Sequence, residues 1–414
     1  MRPAPTATWY VRYCEGWDPA SRALIGPITE ATAQARAADG NQYTVALTDH
    51  DHTRPRVIID LSRRDRYACA WHFDEHARRT RKLEYRQLAD GRLFLLTDTE
   101  WTYTTTDQPE FDDQAGHHER RTNPDGHGLD ETSPSGYGGD RTRTEMRFDP
   151  DELTLSYPDF GDWTTLAGAH HVLQPPPTLR PAQWAAHALD AAPVLPPWHP
   201  VRPAQPRRLD VLFRPGARLA LPADAEVTID VVPAGELVLP TGYLAVHDPG
   251  WLEFTDDLLP FTAAVAPGRY PVHLAVLRWP GRDGMGRTVG ARVLIRDGPV
   301  VSWEPALCGE QDPVLLRADE LVGFGVDAGM GCFFDFSLRE TFARVVQDQY
   351  DTLAATPMDA AHLVTDPESG GTLIAFTSGY GDGCYPTWLG RTHTGEVGCF
   401  VADMLVLDDA TVLD

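Results

Sequence analysis

The chain is almost without lysine. Of the 36 basic residues among its 414 residues, Lys82 is the only lysine and the others are arginine. A phosphate-binding loop ending in Gly-Lys-Ser/Thr and a Ser-x-x-Lys nucleophile both need a lysine at a fixed place. The surrounding sequence, Thr-Arg-Lys-Leu, fits neither pattern. These two kinds of site are therefore excluded, and no Gly-x-Ser-x-Gly or His-Glu-x-x-His pattern occurs either.

Paired cysteines are also lacking. The six cysteines are scattered along the chain, and no two of them form a Cys-x-x-Cys pair. This spacing excludes a disulfide framework and a zinc ribbon, and it is typical of a reducing compartment. The chain has neither the apolar segment of a signal peptide near its start nor a run of about 18 apolar residues that could span a membrane. We therefore expect a cytoplasmic protein without a membrane contact.

Basic residues are far fewer than acidic residues. The 36 basic residues face 60 acidic residues, which gives a formal net charge of −24. A chain of this charge repels the phosphates of nucleic acids and anionic membranes, whereas it attracts basic molecules. The composition therefore excludes nucleic acid as a partner and favours a basic protein.

Glycine and proline are abundant, with 35 of each, and long helical patterns are few. This composition predicts a mainly β (α+β) fold. The chain is longer than one hydrophobic core usually serves, and ten prolines fall between Pro175 and Pro206, where they interrupt ladders and helices. We therefore predict two β-rich domains, residues 1–174 and 207–414, joined by a Pro-rich linker at 175–206 that contains one short helix after Pro181.

The first domain is predicted to be a sheet with one small helix. Alternating apolar positions in residues 67–73 are typical of a half-buried strand, and a helix from Glu30 to Ala38 is closed by Gly40. Residues 107–145 are polar, glycine-rich and charged of both signs. A segment with so few apolar residues does not build a core, so we predict a mobile loop there.

The second domain is predicted to contain many short strands and one helix. The spacing of the strands favours a β-sandwich or curled sheet. Ser337 and Glu340 have the spacing of a capping box, and apolar residues recur at helical spacing as far as Leu353. This pattern predicts one amphipathic helix that ends before Pro357.

Four segments of the second half point to a known family. They are His247-Asp248-Pro249-Gly250, Pro267-Gly268-Arg269-Tyr270-Pro271-Val272, residues 326–335, and residues 378–388 with the core Gly-Asp-Gly-x-Tyr-Pro-Thr; a closing Val401-Ala402-Asp403 also fits. In this order they resemble the uncharacterised bacterial family known as domain of unknown function 4241, over roughly residues 209–408. The resemblance implies a β-rich domain. It carries no established activity, so no catalytic residue is assigned.

The acidic residues inside these motifs are the candidate site. We predict binding residues at Asp327, Asp335, Asp382, Asp403, Tyr385 and Trp388, and Asp248 and Glu304 belong to the same group of acids. Carboxylates among glycine-rich turns converge on a hard cation or divide into a general acid and a general base. The structural alternative is that each acid stabilises its own turn through nearby backbone N–H groups. We predict no cofactor, and a divalent cation is the one group that these acids could hold.

Two other patterns have structural explanations. His72, Glu75 and His76 match the inverted zinc-protease motif, which requires a helix, but the residues before them alternate as in a strand. Cys332, Cys384 and Cys399 lie in the C-terminal motifs, where a small buried packing role is more common than that of a nucleophile.

The sequence supports two functions from different classes. The first is an acidic protein-binding module, in concrete form an immunity protein that sequesters a basic toxin or effector, since acidic faces speed association with basic targets. The second is a divalent-metal or carboxylate-dependent hydrolase that uses Asp327, Asp335, Asp382 and Asp403. Because catalytic motifs are missing, we favour the function without catalysis. No oligomeric state is predicted.

Overall fold

A computed structural model describes residues 7–49, 54–136, 140–168, 177–190, 195–200, 202–222, 225–253, 258–282, 284–318 and 320–413. The chain forms two compact units that divide between residues 201 and 202, inside the predicted linker. Both units consist mostly of strands, so the predicted fold class is confirmed. In the described part of the chain, no helix is long and apolar enough to cross a membrane.

The first unit is a sheet with helices α1 (Glu30–Asp39) and α2 (Ala186–Asp190). Its strands are β1 (Thr8–Asp18), β2 (Ala23–Ile28), β3 (Tyr43–Thr48), β4 (Pro55–Ser62), β5 (Tyr67–Phe73), β6 (Arg79–Gln87), β7 (Leu93–Thr102), β8 (Gly116–Thr122), β9 (His127–Ser133), β10 (Thr142–Arg147), β11 (Thr154–Leu155) and β12 (Thr178–Pro181). The strand order is β10-β9-β8-β7-β6-β5-β4-β3-β1-β12, with β2 beside β1 and β11 beside β7. Among the described pairings only β1 with β12 is parallel.

Alternation along the strands builds the core of this unit. Val57, Ile59 and Leu61 on β4 share one face with apolar residues of β3, β5 and β6, and Trp163 covers them. The predicted helix is confirmed as α1, which ends at Gly40 with a φ of 73°. A residue with a Cβ rarely adopts this left-handed conformation, which explains the glycine at the C-cap.

The prediction of a loop over residues 107–145 was wrong, because the segment contributes β8, β9 and the first part of β10 to one edge of the sheet. These strands have few apolar residues, but opposite charges lie across from one another. Arg120 pairs with Asp130 on β9, and Arg143 pairs with Glu131. Backbone ladders and cross-strand charge pairs stabilise such an edge without a core of its own. Hydrophobicity alone gave no sign of it.

The predicted linker is partly structured, and its described residues up to 200 belong to the first unit. Strand β12 pairs with β1, and the short helix appears as α2. The indole N–H of Trp184 donates to the carbonyl of Tyr13 (2.7 Å), and the ring of Trp198 packs against Tyr67 with 6.2 Å between centroids. These contacts explain why the structural division falls late, at residue 201.

The second unit contains two sheets and helices α3 (Leu209–Leu212) and α4 (Arg339–Ala354). Its strands are β13 (Arg218–Leu221), β14 (Ala225–Leu239), β15 (Leu244–His247), β16 (Gly268–Arg278), β17 (Gly286–Leu294), β18 (Ser302–Pro305), β19 (Gly323–Val326), β20 (Met330–Asp335), β21 (Ala361–Thr365), β22 (Thr372–Thr377), β23 (Gly383–Arg391), β24 (Val397–Asp403) and β25 (Thr411–Val412). The large sheet has the order β18-β23-β24-β17-β16-β14-β13-β25, with β19 beside β23, and the small sheet has the order β15-β20-β22-β21.

The small sheet is buried on both faces, between the large sheet and helix α4. On one face, Phe333, Ile374 and Phe376 pack into the core of the large sheet. On the other face, Phe334 and Ala375 pack with Phe342 and Val346 of α4. Strand β20 is therefore apolar at consecutive positions, because a strand covered on both faces does not alternate.

The amphipathic helix is confirmed, but its predicted capping box is not formed. Ser337 lies inside a short 3-10 turn, Phe336–Leu338, that precedes the helix. The N-cap of α4 is Leu338, which makes no side-chain cap bond. The carboxylate of Asp335 instead accepts from the backbone N–H of Ser337 (3.0 Å) and from its hydroxyl (2.6 Å). Asp335 therefore caps the 3-10 turn that precedes helix α4.

Candidate functional site

Three of the sequence motifs meet at one end of the small sheet. Strand β15 ends at His247, β20 begins at Met330 and β22 ends at Thr377, and the antiparallel pairing brings these three strand ends together. The turns that follow or precede them are residues 248–250, 327–329 and 378–382. The N–H of Ser378 donates to the carbonyl of Gly329 (3.0 Å), which joins two of the turns directly.

Asp248 joins its own turn to the turn at residues 327–329 from inside the protein. It is wholly buried, and its Oδ1 accepts from the N–H of Gly250 (2.7 Å). Its Oδ2 accepts from the N–H groups of Asp327 and Ala328, both at 2.7 Å. All three are charge-assisted bonds to backbone, so Asp248 has the structural role that an Asp-Pro-Gly turn suggests.

Asp327 and Asp382 are the two predicted site residues that the structure brings together at the surface. Val326 pairs with Gly383 at the end of the β19–β23 ladder, so Asp327 and Asp382 occupy the next positions on either side. Both side chains are exposed. Within the described part of the chain, no ion pair neutralises either carboxylate.

The loop between β22 and β23 has a fixed conformation that exposes one aromatic ring. The hydroxyls of Ser378 and Tyr385 both donate to the carbonyl of Gly381 at 2.8 Å. Gly379 has a φ of 65°, and a Cβ there would lie 2.9 Å from Cγ2 of Val406. The loop can therefore follow this path only with glycine at that position, and it leaves Tyr380 69% exposed.

The predicted aromatic binding residues lie elsewhere than expected. Tyr385 and Trp388 are 7% and 2% exposed and belong to the core of the large sheet, so neither forms an aromatic surface. The reason is that β23 pairs on both sides, with Trp388 opposite Pro305 on one neighbour and Val401 on the other.

Asp335 and Asp403 do not join the exposed pair. Asp335 lies at the opposite end of the small sheet, opposite Leu244. It is wholly buried, and besides Ser337 it accepts from the N–H and hydroxyl of Thr241 (2.8 and 2.6 Å) and from the N–H of Gly242 (3.1 Å). These bonds occupy both carboxylate oxygens of Asp335, so this residue has a structural role.

Asp403 is a buried carboxyl on the last residue of β24. It is 4% exposed, and its Oδ1 accepts from the N–H of Leu405 (3.0 Å). Burial raises the pKa of Asp403 to about 7, because the charged form loses its hydration. None of the described cavities is lined by this residue.

The acids therefore form no common centre. Among the described residues, no group of three or more His, Cys, Asp or Glu side chains could hold a metal ion. Glu304 is paired with Arg391 (2.6 Å). The zinc-protease pattern is also separated, since His72 lies on β5 and His76 lies in the turn after it. The six cysteines are free, and burial raises the pKa of Cys399 to about 11.

Two other exposed aromatic residues, which the sequence did not single out, lie at or against the Asp248 turn. Trp251 follows the Asp248 turn and is 44% exposed, and Tyr350 on α4 is 41% exposed. A Cβ on Gly250 would lie 3.3 Å from the Tyr350 ring and 3.1 Å from Cβ of Ala328, so these turns and α4 form one continuous surface. We call this the turn surface and define it by the residues Glu253, Trp251, Asp327, Tyr350, Tyr380 and Asp382.

One cation already contacts the turn surface. The guanidinium of Arg287 lies 4.8 Å from the centroid of the Tyr380 ring, and its Nη1 donates to the carbonyl of Gly379 (2.6 Å). The Gly-Tyr-Gly sequence in a turn is a signal that could have indicated this exposed ring, because flanking glycines give it little cover. Trp251 and Tyr350 had no comparable signal, since their exposure depends on tertiary packing.

No curated protein and no solved structure matches the chain in comparisons with known proteins. The comparison with family models does give a match, and it lies entirely in the second unit. Residues 237–402, which contain the Asp248, Asp327 and Asp382 turns, match the model of the family described as "Protein of unknown function (DUF4241)".

Proposed function

We propose that the second unit is a protein-binding domain that takes a basic partner on the turn surface. The observation that carries the proposal is the pair of exposed carboxylates, Asp327 and Asp382, beside the 69% exposed ring of Tyr380. Carboxylates attract arginine and lysine, and an aromatic ring offers them a cation–π contact. Arg287 already makes such a contact within the chain.

The charge of the chain supports the same partner. After residue 200 there are 15 basic and 30 acidic residues. An excess of this kind raises the association rate with a basic protein and discriminates against acidic ones. Exposed tyrosine and tryptophan are also the residue types that contribute most binding energy at protein interfaces.

The concrete form of this proposal is an immunity protein that sequesters a basic toxin or effector. An acidic face of this kind resembles the phosphate groups that a basic effector, such as a nuclease, binds. Sequestration requires no catalytic group, and it is compatible with the structural use of Asp248 and Asp335.

A pull-down with a matched charge control tests the proposal. Tagged full-length protein is incubated with host lysate at low salt and at about 0.5 M salt, where exposed charges are screened. The test variant carries Asp327→Lys and Asp382→Lys. The control carries Asp297→Lys and Glu368→Lys, which make the same charge change at exposed positions away from the turn surface.

We expect one basic protein near stoichiometric amount, lost at high salt, and recovered roughly tenfold less with the test variant than with the control. Equal recovery with both variants would show that only net charge matters and would contradict the assigned surface. If no basic protein is recovered with the wild type at either salt, the proposed function fails.

The hydrolase suggested by the sequence remains a prediction. No observation favours it over protein binding, since the buried acids bond to backbone and the exposed pair is not part of a described cavity.

A further inference from the structure

A cavity of about 410 Å³ opens on the second unit, next to the Asp248 turn. Its walls come from strands β15, β19 and β23 and from the segments 258–261 and 306–311. The described residues that line it are mainly apolar: Val246, Leu258, Leu259, Phe261, Ala306, Val322 and Phe324. This volume and lining are those of small-molecule sites, which are apolar pockets of roughly 300–1,000 Å³ with a few polar groups.

One polar group in this cavity lacks a hydrogen-bond partner. Thr387 lines the cavity and is 2% exposed, and its hydroxyl has no partner among the described residues. Its backbone carbonyl is occupied, since it accepts from the N–H of Ala306 (2.8 Å). A buried hydroxyl without a partner costs stability, whereas a ligand in the cavity would satisfy it.

A second polar group has a defined orientation. Nδ1 of His247 lies 3.0 Å from the carbonyl of Asp248, so it acts as the donor and leaves Nε2 as the acceptor of the neutral ring. His247 and Thr387 both line the cavity, and each leaves one polar atom for a ligand. A ligand group with an N–H or O–H can bond to either atom.

The charge at the rim restricts the ligand further. Glu310 lines the opening and is exposed, and none of the described lining residues is an arginine or a lysine. An anionic ligand would meet a carboxylate and no cation. The cavity therefore selects against carboxylates and phosphates.

We propose that this cavity binds a small, largely apolar molecule, such as an aromatic amine or alcohol, whose amino or hydroxyl group bonds to Thr387 and His247. This site is separate from the protein-binding function, because it uses none of the residues that define the turn surface.

Three indole compounds of matched shape test the ligand class on the full-length protein. Tryptamine is cationic, tryptophol is neutral and indoleacetate is anionic. We expect saturable binding of tryptamine and tryptophol, measured by titration calorimetry, and at least tenfold weaker binding of indoleacetate. Equal or tighter binding of indoleacetate, or no saturable binding of any of the three, would overturn the proposal.

Two substitutions identify the residues involved. Thr387→Val keeps the shape and removes the hydroxyl, so tryptophol should bind roughly fivefold more weakly. The unliganded variant should be at least as stable as the wild type, because an unsatisfied polar group is lost. Glu310→Lys should reverse the preference, so that indoleacetate binds more tightly than tryptamine. Unchanged affinities in both variants would place the binding elsewhere.

Cysteine alkylation shows independently where the ligand binds. Cys308 lines the cavity, whereas Cys384 is exposed and does not line it. Burial raises the pKa of Cys308 to about 11, so its reaction with iodoacetamide is slow and easily followed by mass spectrometry. Bound tryptophol should slow alkylation of Cys308 and leave Cys384 unaffected. Equal rates at Cys308 with and without tryptophol would contradict binding in this cavity.

Discussion

Replacing Asp248 with alanine should destabilise the turn at residues 327–329, which carries Asp327 of the turn surface. The substitution removes the acceptor for three backbone N–H groups, each at 2.7 Å. Two of these groups belong to Asp327 and Ala328, 79 and 80 residues away along the chain. Asp248 itself has no exposed surface, so water does not reach its position without local rearrangement.

The size of the effect follows from these bonds. A hydrogen bond to a charged group contributes about 1.5–3 kcal/mol. The bond to Gly250 is local, and the exposed side of the Asp327 turn allows some hydration, so we expect a net loss of about 3 kcal/mol from the two distant bonds. Asp248→Asn keeps one oxygen acceptor and should lose about half as much.

Hydrogen exchange with mass spectrometry is the appropriate assay. The chain has two compact units, so unfolding of the whole chain need not be a single two-state transition. In peptides that cover residues 325–330, the amides of Asp327 and Ala328 should exchange roughly a hundredfold faster in Asp248→Ala, since about 1.4 kcal/mol corresponds to tenfold. The exchange rate of these amides in Asp248→Asn should lie between the rates in the wild type and in Asp248→Ala.

Asp382→Ala is the matched control, because it removes an exposed aspartate from an adjacent turn. It should leave exchange over residues 325–330 close to that of the wild type. Wild-type exchange in Asp248→Ala would refute the role given to its carboxylate. An equal acceleration in Asp382→Ala would show that any loss of charge at this end of the sheet has the same effect.

Two further predictions concern stability. Burial raises the pKa of Asp403 from 3.8 to about 7, so the folded chain holds an extra proton between these values and loses stability as the pH rises from about 4 to about 7. Asp403→Asn should flatten this decline and be more stable than the wild type at pH 8 in calorimetric scans, and an unchanged slope would contradict this. Gly379→Ala should lower the melting temperature more than Gly395→Ala, because both glycines have positive φ but only Gly379 would place a Cβ against Val406; equal decreases would show that backbone strain alone matters.

Local patterns in the sequence predicted the elements whose stability is local. Helix α1 with Gly40, helix α4 and the β-rich character of both units follow from spacing and turn chemistry. Residues 107–145 were mispredicted because their ladder depends on β7, a strand made earlier in the chain, and on charge pairs between strands. The spacing of apolar residues contains no information about this strand pairing or these charge pairs.

The same limit applies to the candidate site. The motifs located the turns correctly, and Asp327 and Asp382 adjoin the paired residues Val326 and Gly383. Asp248 and Asp335 look identical to them in sequence, yet they are buried and bonded to backbone. Whether an aspartate faces solvent or three N–H groups depends on which distant turn packs against it, and no local pattern contains that information.

The charged edge of the first sheet also bears on how the protein behaves at high concentration. Strand β10 ends the sheet in the described part of the chain, and its side chains, Arg143, Glu145 and Arg147 among them, are mostly exposed. An unpaired edge invites a strand from another molecule, and charges of both signs along it oppose that addition. At the other end, β12 is four residues long and finishes at Pro181, which lacks the N–H that a further strand would need. The edge strands β10 and β12 are therefore protected against the intermolecular strand pairing that leads to aggregation.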